Sequence, residues 1–175
     1  LRSNEAIRRY QRGFLEVSRG NGKSMLAAGL GVKGLIGAPD AAPQVVGVAT
    51  DRASAGITYS YGARMVRASA DLHRLIDIRD STKRMIRKTL TGTYVVLSSE
   101  APRAHGYHPT RIIFDELHTQ PDRDLYDVLS TSQVTVDDPL MLMITTAGYD
   151  RHSICWEVHQ EAVEACQNPD AHPRV

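Results

Sequence analysis

Seven consecutive residues, Ser18-Arg19-Gly20-Asn21-Gly22-Lys23-Ser24, collect the groups that a phosphate chain needs: backbone N–H donors bared by glycine, a positive charge and a hydroxyl for a metal. Gly22 lets the backbone come close, Lys23 suits the β and γ phosphates, and Ser24 offers its hydroxyl oxygen to Mg²⁺. The general pattern G-x-x-x-x-G-K-[ST] has glycine where Val17 stands, so the G-K-S tripeptide by itself reads equally as a solvent-exposed turn before a helix. Arg19 is a candidate for stabilising transition-state charge, or else a surface cation that assists binding.

A second, independent feature is the apolar run Ile112-Ile113-Phe114, which delivers two adjacent carboxylates, Asp115 and Glu116. Beside a phosphate loop such a pair divides the work: Asp115 holds Mg²⁺ and Glu116 polarises the water that attacks the γ phosphate. Taken alone, the pair is also a strand end with two solvated acids. Thr145-Thr146-Ala147-Gly148 closes another apolar run and offers hydroxyls that could sense the γ phosphate, although strand-terminal threonines before a glycine turn need no such role. Cys155, His159, Cys166 and His172 do not have a common zinc spacing, and His105, His108 and His118 read as hydrogen-bonding loop histidines, so no zinc is expected. Lys83, Arg84, Arg87 and Lys88 suit either DNA phosphates or a charged strand edge that resists aggregation.

The elements that must position these groups alternate β and α. Phe14–Val17 reads as a strand, followed by the loop and a helix to Ile36 in which Gly29, Gly31 and Gly34 weaken helicity but permit close packing. Val45–Ala49 reads as a buried strand, with Thr50-Asp51 capping a helix over Ser54–Ala68 whose apolar face is Ile57, Tyr61, Met65 and Val66. Two β-rich runs around Thr91-Gly92 predict a hairpin near 85–98, outside the main sheet or at its edge. Arg111–Phe114 and Leu140–Thr145 read as buried parallel strands, with helices over Tyr126–Ser132 and Ile154–Ala165. Ligand sites of parallel sheets lie at the carboxyl ends of the strands, where both motifs fall.

The 175 residues suffice for one domain, and 42% hydrophobic with 23% charged residues excludes disordered, collagen-like and disulfide-scaffold classes. A net charge of +1 neither demands nor forbids a nucleic-acid partner. Two cysteines suggest a reducing compartment, and the apolar runs are too short to span a membrane. Both termini read as cuts through a longer protein, which makes 1–175 a single domain truncated at both ends.

With these residues located, the sequence resembles the ATPase part of the large terminase subunit, the DNA-packaging motor of tailed double-stranded DNA phages. Glu16–Ser24, Ile112–His118 and Ile144–Asp150 carry the resemblance. Terminases commonly have an arginine-containing phosphate loop without the first glycine, so Val17 and Arg19 agree with this family. The resemblance implies an α/β P-loop NTPase of the ASCE/RecA-like type, a mostly parallel central sheet flanked by helices, hydrolysing ATP with Mg²⁺. It implies Ser18 to Ser24 on the nucleotide, Ser24 and Asp115 on the metal, Glu116 as catalytic base with Arg19 assisting, and Thr145 to Gly148 as the motif coupling hydrolysis to DNA movement.

The resemblance also implies double-stranded DNA, a portal protein and a small terminase subunit as partners, a homo-oligomeric ring, and the bacterial host cytoplasm with transient residence at the procapsid portal vertex. Arg103 is the nearest candidate for an arginine finger acting on a neighbouring subunit, because the family's Arg-Gly position reads His105-Gly106 here. The adenine-contacting segment would precede the first strand, where only Leu1 to Arg12 stand, and the nuclease domain would follow Val175, so no nuclease activity is expected from 1–175. The residues alone leave two rivals open: a P-loop phosphotransferase, and a non-catalytic nucleotide-binding assembly module.

Overall fold

The computed structural model describes residues 8–37, 42–89, 91–99, 106–148 and 150–169. Its elements are β1 (Arg12–Glu16), α1 (Lys23–Gly37), β2 (Gln44–Ala49), α2 (Arg52–Ala68), α3 (Ala70–Leu75), β3 (Ile76–Arg79), β4 (Arg84–Arg87), β5 (Thr93–Ser98), β6 (Arg111–Asp115), α4 (Asp124–Ser132), β7 (Leu140–Thr145) and α5 (Ile154–Gln167). One seven-stranded sheet has the order β1-β7-β6-β2-β5-β4-β3, parallel from β1 to β5 and antiparallel over the last two pairings.

Side-chain alternation along the strands splits the core into two layers. Val45, Ala49, Tyr94, Ile113 and Ile144 pack with residues of α1 and α2 on one face. Val46, Val48, Val95, Ile112, Phe114 and Met143 pack with residues of α4 and α5 on the other. Capping fixes where the helices begin: Asp51 Oδ1 accepts from the Ser54 N–H at 2.7 Å, and Ser153 Oγ accepts from the Trp156 N–H at 3.3 Å. No helix among the described residues is long and apolar enough to cross a membrane.

The hairpin near 85–98 exists, but its second arm lies within the main sheet: β5 pairs with β2 in parallel from Gln44↔Thr93 to Ala49↔Ser98. Tyr94, Val95 and Val96 are buried on both faces, which an edge position would not provide. A short strand that the sequence did not announce, β3, covers β4, so the basic cluster around Arg84 and Arg87 is not a sheet edge. On α2 the buried face is Ala55, Thr58, Tyr59, Gly62, Ala63 and Val66, whereas Ile57 is exposed. Of the expected face Val66 is buried, Tyr61 and Met65 are half-buried and Ile57 points outward; the face is rotated because Ala55, Gly62 and Ala63 let α2 approach the sheet.

Gly31 makes the corresponding contact on α1, where an added Cβ would stand 2.3 Å from Tyr94 Cζ. Alanine is the better helix former by about 1 kcal/mol, but overpacking a rigid ring costs about 1–3 kcal/mol. Gly31→Ala is therefore expected to lower stability in a urea titration, and a midpoint equal to or above the parent's would contradict this packing.

Candidate active site

Sheet register brings the motif-bearing strand ends level with one another. Glu16 pairs with Thr145 across β1 and β7, Asp115 pairs with Ile144 across β6 and β7, and the Val17 N–H donates to the Thr145 carbonyl at 2.9 Å. The loop leaving β1 turns through two left-handed glycines, Gly20 (φ +83°) and Gly22 (φ +68°), conformations that cost other residues strain. Lys23 then opens α1. Asn21 Nδ2 donates to the Ser18 carbonyl at 3.2 Å and to Ser18 Oγ at 2.7 Å, which closes the loop on itself.

Lys23 and the acidic tip meet. The Lys23 side chain is 5% exposed, and its Nζ lies 3.5 Å from Glu116 Oε1 and donates to the Ser18 carbonyl at 3.1 Å. Asp115 falls on the α1/α2 side of the sheet by the same alternation that places Ile113 there, and it is buried. Thr58 Oγ1 of α2 donates to Asp115 Oδ2 at 3.0 Å. Burial pushes the Asp115 carboxyl above its ordinary range; hydrogen bonds from Ser24 and Thr58 oppose this, the neighbouring Glu116 charge adds to it, and Lys23 reduces it.

Asp115 Oδ1 is buried and has no hydrogen-bond partner. A buried carboxylate oxygen left this way normally costs free energy. The Asp115 carboxyl and the Ser24 hydroxyl that interacts with it are hard oxygen donors of the kind that suits Mg²⁺, which takes one or two protein carboxylates and completes its shell with phosphate and water. Among the described residues no group of three or more His, Cys, Asp or Glu side chains gathers to hold a metal.

Glu116 has the left-handed backbone of a non-glycine residue (φ 62°, ψ 58°), and its N–H donates to the Ile144 carbonyl at 2.8 Å. That conformation costs about 1–2 kcal/mol and turns the chain out of β6. Thr145 and Thr146 are buried at the β7 tip, and Thr146 Oγ1 lies 3.5 Å from Glu116 Oε2. Ala147 and Gly148 are exposed. Arg19 is exposed on the loop, and Arg103 lies outside the described residues.

Two residues of the site were given no role in it by the sequence. Thr58 stands among small residues on the buried face of α2, and its only signal was a hydroxyl where a helix face turns inward and a polar atom needs a partner. His118, read as a hydrogen-bonding loop histidine, does hydrogen-bond: its Nδ1 lies 2.9 Å from Thr145 Oγ1 and 3.3 Å from Glu116 Oε2.

Comparison with known proteins shows which family the chain and its fold are similar to. The large terminase subunit of Enterobacteria phage HK97 is 32% identical over 137 residues, spanning 76% of this chain and 27% of that protein. The crystal structure of the HK97 bacteriophage large terminase superposes with a TM-score of 0.81 at 28% identity, covering 91% of this chain and 34% of that one. The ATPase domain of the Thermus phage P74-26 large terminase gives 0.67 at 18% identity, covering 81% of this chain and 62% of that one. A large terminase of a thermophilic bacteriophage in complex with ATP-gamma-S gives 0.58 at 11% identity, over 78% of this chain and 32% of that one. This chain thus spans about a third or less of the HK97 protein. Residues 2–164 match the family described as terminase large subunit, ATPase domain, and it is to this family that the chain belongs.

Proposed function

We propose that this chain hydrolyses ATP to drive double-stranded phage DNA into a procapsid. The observation that carries the reading is the meeting of Lys23 Nζ and Glu116 Oε1 at 3.5 Å, with Asp115 one residue away at the same sheet edge. In this reading the loop from Ser18 to Ser24 wraps the phosphates with its N–H groups, and Lys23 lies against the β and γ oxygens. Ser24 and Asp115 would hold Mg²⁺, which when bound would supply positive charge to the phosphates. Glu116 orients the attacking water and takes its proton. Arg19, exposed on the loop, adds positive charge next to the transferred group, and Arg103 is the candidate that would act on a neighbouring subunit's nucleotide.

Thr145, Thr146, Ala147 and Gly148 form the strand tip that couples hydrolysis to DNA movement. The family relationship supports a homo-oligomeric ring that meets a portal protein and a small terminase subunit, in the bacterial host cytoplasm and at the portal vertex during packaging. Mg²⁺ and ATP are the cofactor and the fuel. A structural relative in complex with ATP-gamma-S supports the choice of nucleotide.

The test measures ATP hydrolysis with and without double-stranded DNA, with Lys23→Ala reporting contaminating activity. Stimulation by DNA is the expected result. Nucleotide binding with no turnover under either condition would favour the assembly module, and phosphate transfer to a small acceptor in preference to water would favour the phosphotransferase.

A further inference from the structure

His118 connects groups that the chain holds far apart in sequence. Besides the Nδ1 contacts with Thr145 and Glu116, its backbone N–H donates to Thr145 Oγ1 at 3.2 Å, and Thr146 Oγ1 stands 3.3 Å from both ring nitrogens. Thr145 Oγ1 donates to the Thr146 carbonyl at 3.0 Å and lies 3.8 Å from Cys155 Sγ in the first turn of α5. The His118 side chain is 12% exposed, so protein contacts hold the ring.

The proton positions follow from the partners. A carboxylate only accepts, and the single hydroxyl proton of Thr145 is committed to the Thr146 carbonyl. Nδ1 faces Glu116 Oε2 and Thr145 Oγ1, both of them acceptors, so Nδ1 carries the proton. The Thr146 hydroxyl has one proton and two acceptors in reach, Nε2 at 3.3 Å and Glu116 Oε2 at 3.5 Å, so it joins the ring and the carboxylate from the strand tip. The result is a closed network: Glu116, the imidazole, two threonines of the β7 tip, and through Thr145 the thiol at the start of α5.

We propose that His118 is a positioning residue: as its Nδ1–H tautomer it fixes the Glu116 carboxylate relative to Thr145 and Thr146, and it carries any displacement of that carboxylate through Thr145 to Cys155 and α5. The proposal rests on the reading of Glu116 as the base and adds the route by which the base is linked to the strand tip. Alanine at 118 removes the link, whereas glutamine keeps a donor and an acceptor at comparable reach.

Cys155 is 3% exposed, so the rate at which a small maleimide labels it reports opening at the head of α5. The exposed Cys166 is first replaced by serine. With Mg²⁺ and adenosine 5′-(β,γ-imido)triphosphate, the Cys166→Ser parent is expected to change its Cys155 labelling rate by about threefold or more. His118→Ala is expected to lose that response while its nucleotide affinity stays within about threefold, and to lower kcat about 10–100-fold with KM little changed. His118→Gln is expected to restore most of both.

The relay is overturned by a parent without a labelling response, by a His118→Ala protein that responds as the parent does, or by a lost response that His118→Gln fails to restore. The labelling arm needs no hydrolysis. A Glu116→Gln protein with parental turnover would therefore refute the base assignment separately.

Discussion

Replacing Glu116 with glutamine is expected to lower the rate of ATP turnover by about 10²–10⁴-fold while nucleotide affinity stays within about threefold of the parent's. Glutamine has the length and shape of glutamate, so the left-handed turn at 116 and its N–H bond to the Ile144 carbonyl are retained. Lys23 Nζ, now 3.5 Å from Glu116 Oε1, can donate to the amide oxygen and keep its bond to the Ser18 carbonyl. The loop that would bind phosphate is therefore intact, and what disappears is a group able to take a proton from water. A fall in kcat without a matching rise in the nucleotide dissociation constant is the pattern of an interaction made in the transition state alone. Turnover within tenfold of the parent would remove Glu116 from its role, and with it the hydrolytic half of the functional reading.

The two halves of this site differ in how openly the sequence displayed them. Apolar runs in β6 and β7 ending in Asp115-Glu116 and Thr145-Thr146 were legible because a fully buried parallel strand needs continuous apolar residues and its polar tip interrupts them. The glycines of the loop were legible because Gly20 and Gly22 occupy backbone conformations that favour glycine. Thr58 was not, since its role depends on α2 crossing the sheet close enough to reach Asp115, a distance set by Ala55, Gly62 and Ala63. Nor was the left-handed Glu116, where tertiary contacts and not residue preference select the conformation. The register of β5 against β2 was hidden as well: adjacency in sequence suggested a free hairpin, and burial of Tyr94 and Val95 on opposite faces decided otherwise.

Asp115→Asn is expected to separate stability from function in opposite directions. The parent carboxylate is buried, and Oδ1 has no partner; desolvation raises its pKa from the ordinary 3.8 despite hydrogen bonds from Ser24 and Thr58 and the charge of Lys23. A carboxyl that holds its proton more tightly when folded makes the native state bind more protons than the unfolded chain, so stability declines as pH rises from about 3.8 through the raised native value and is level above it. Asparagine cannot ionise and escapes that decline. In EDTA and without nucleotide, Asp115→Asn should melt above the parent at pH 7, with the gap closing as the pH is lowered toward the ordinary aspartate range. Mg²⁺ and ATP should then stabilise the parent by mass action and narrow or reverse the order. Turnover in the variant should fall by about 10²-fold or more, because a metal that polarises phosphoryl oxygen contributes several kcal/mol to the transition state. Melting curves across pH in the two buffers, with turnover measured in parallel, check both halves. A variant that melts below the parent at pH 7 in EDTA would mean that the hydrogen bonds to Asp115 outweigh its desolvation, and the case for a carboxylate kept buried for a metal would fail.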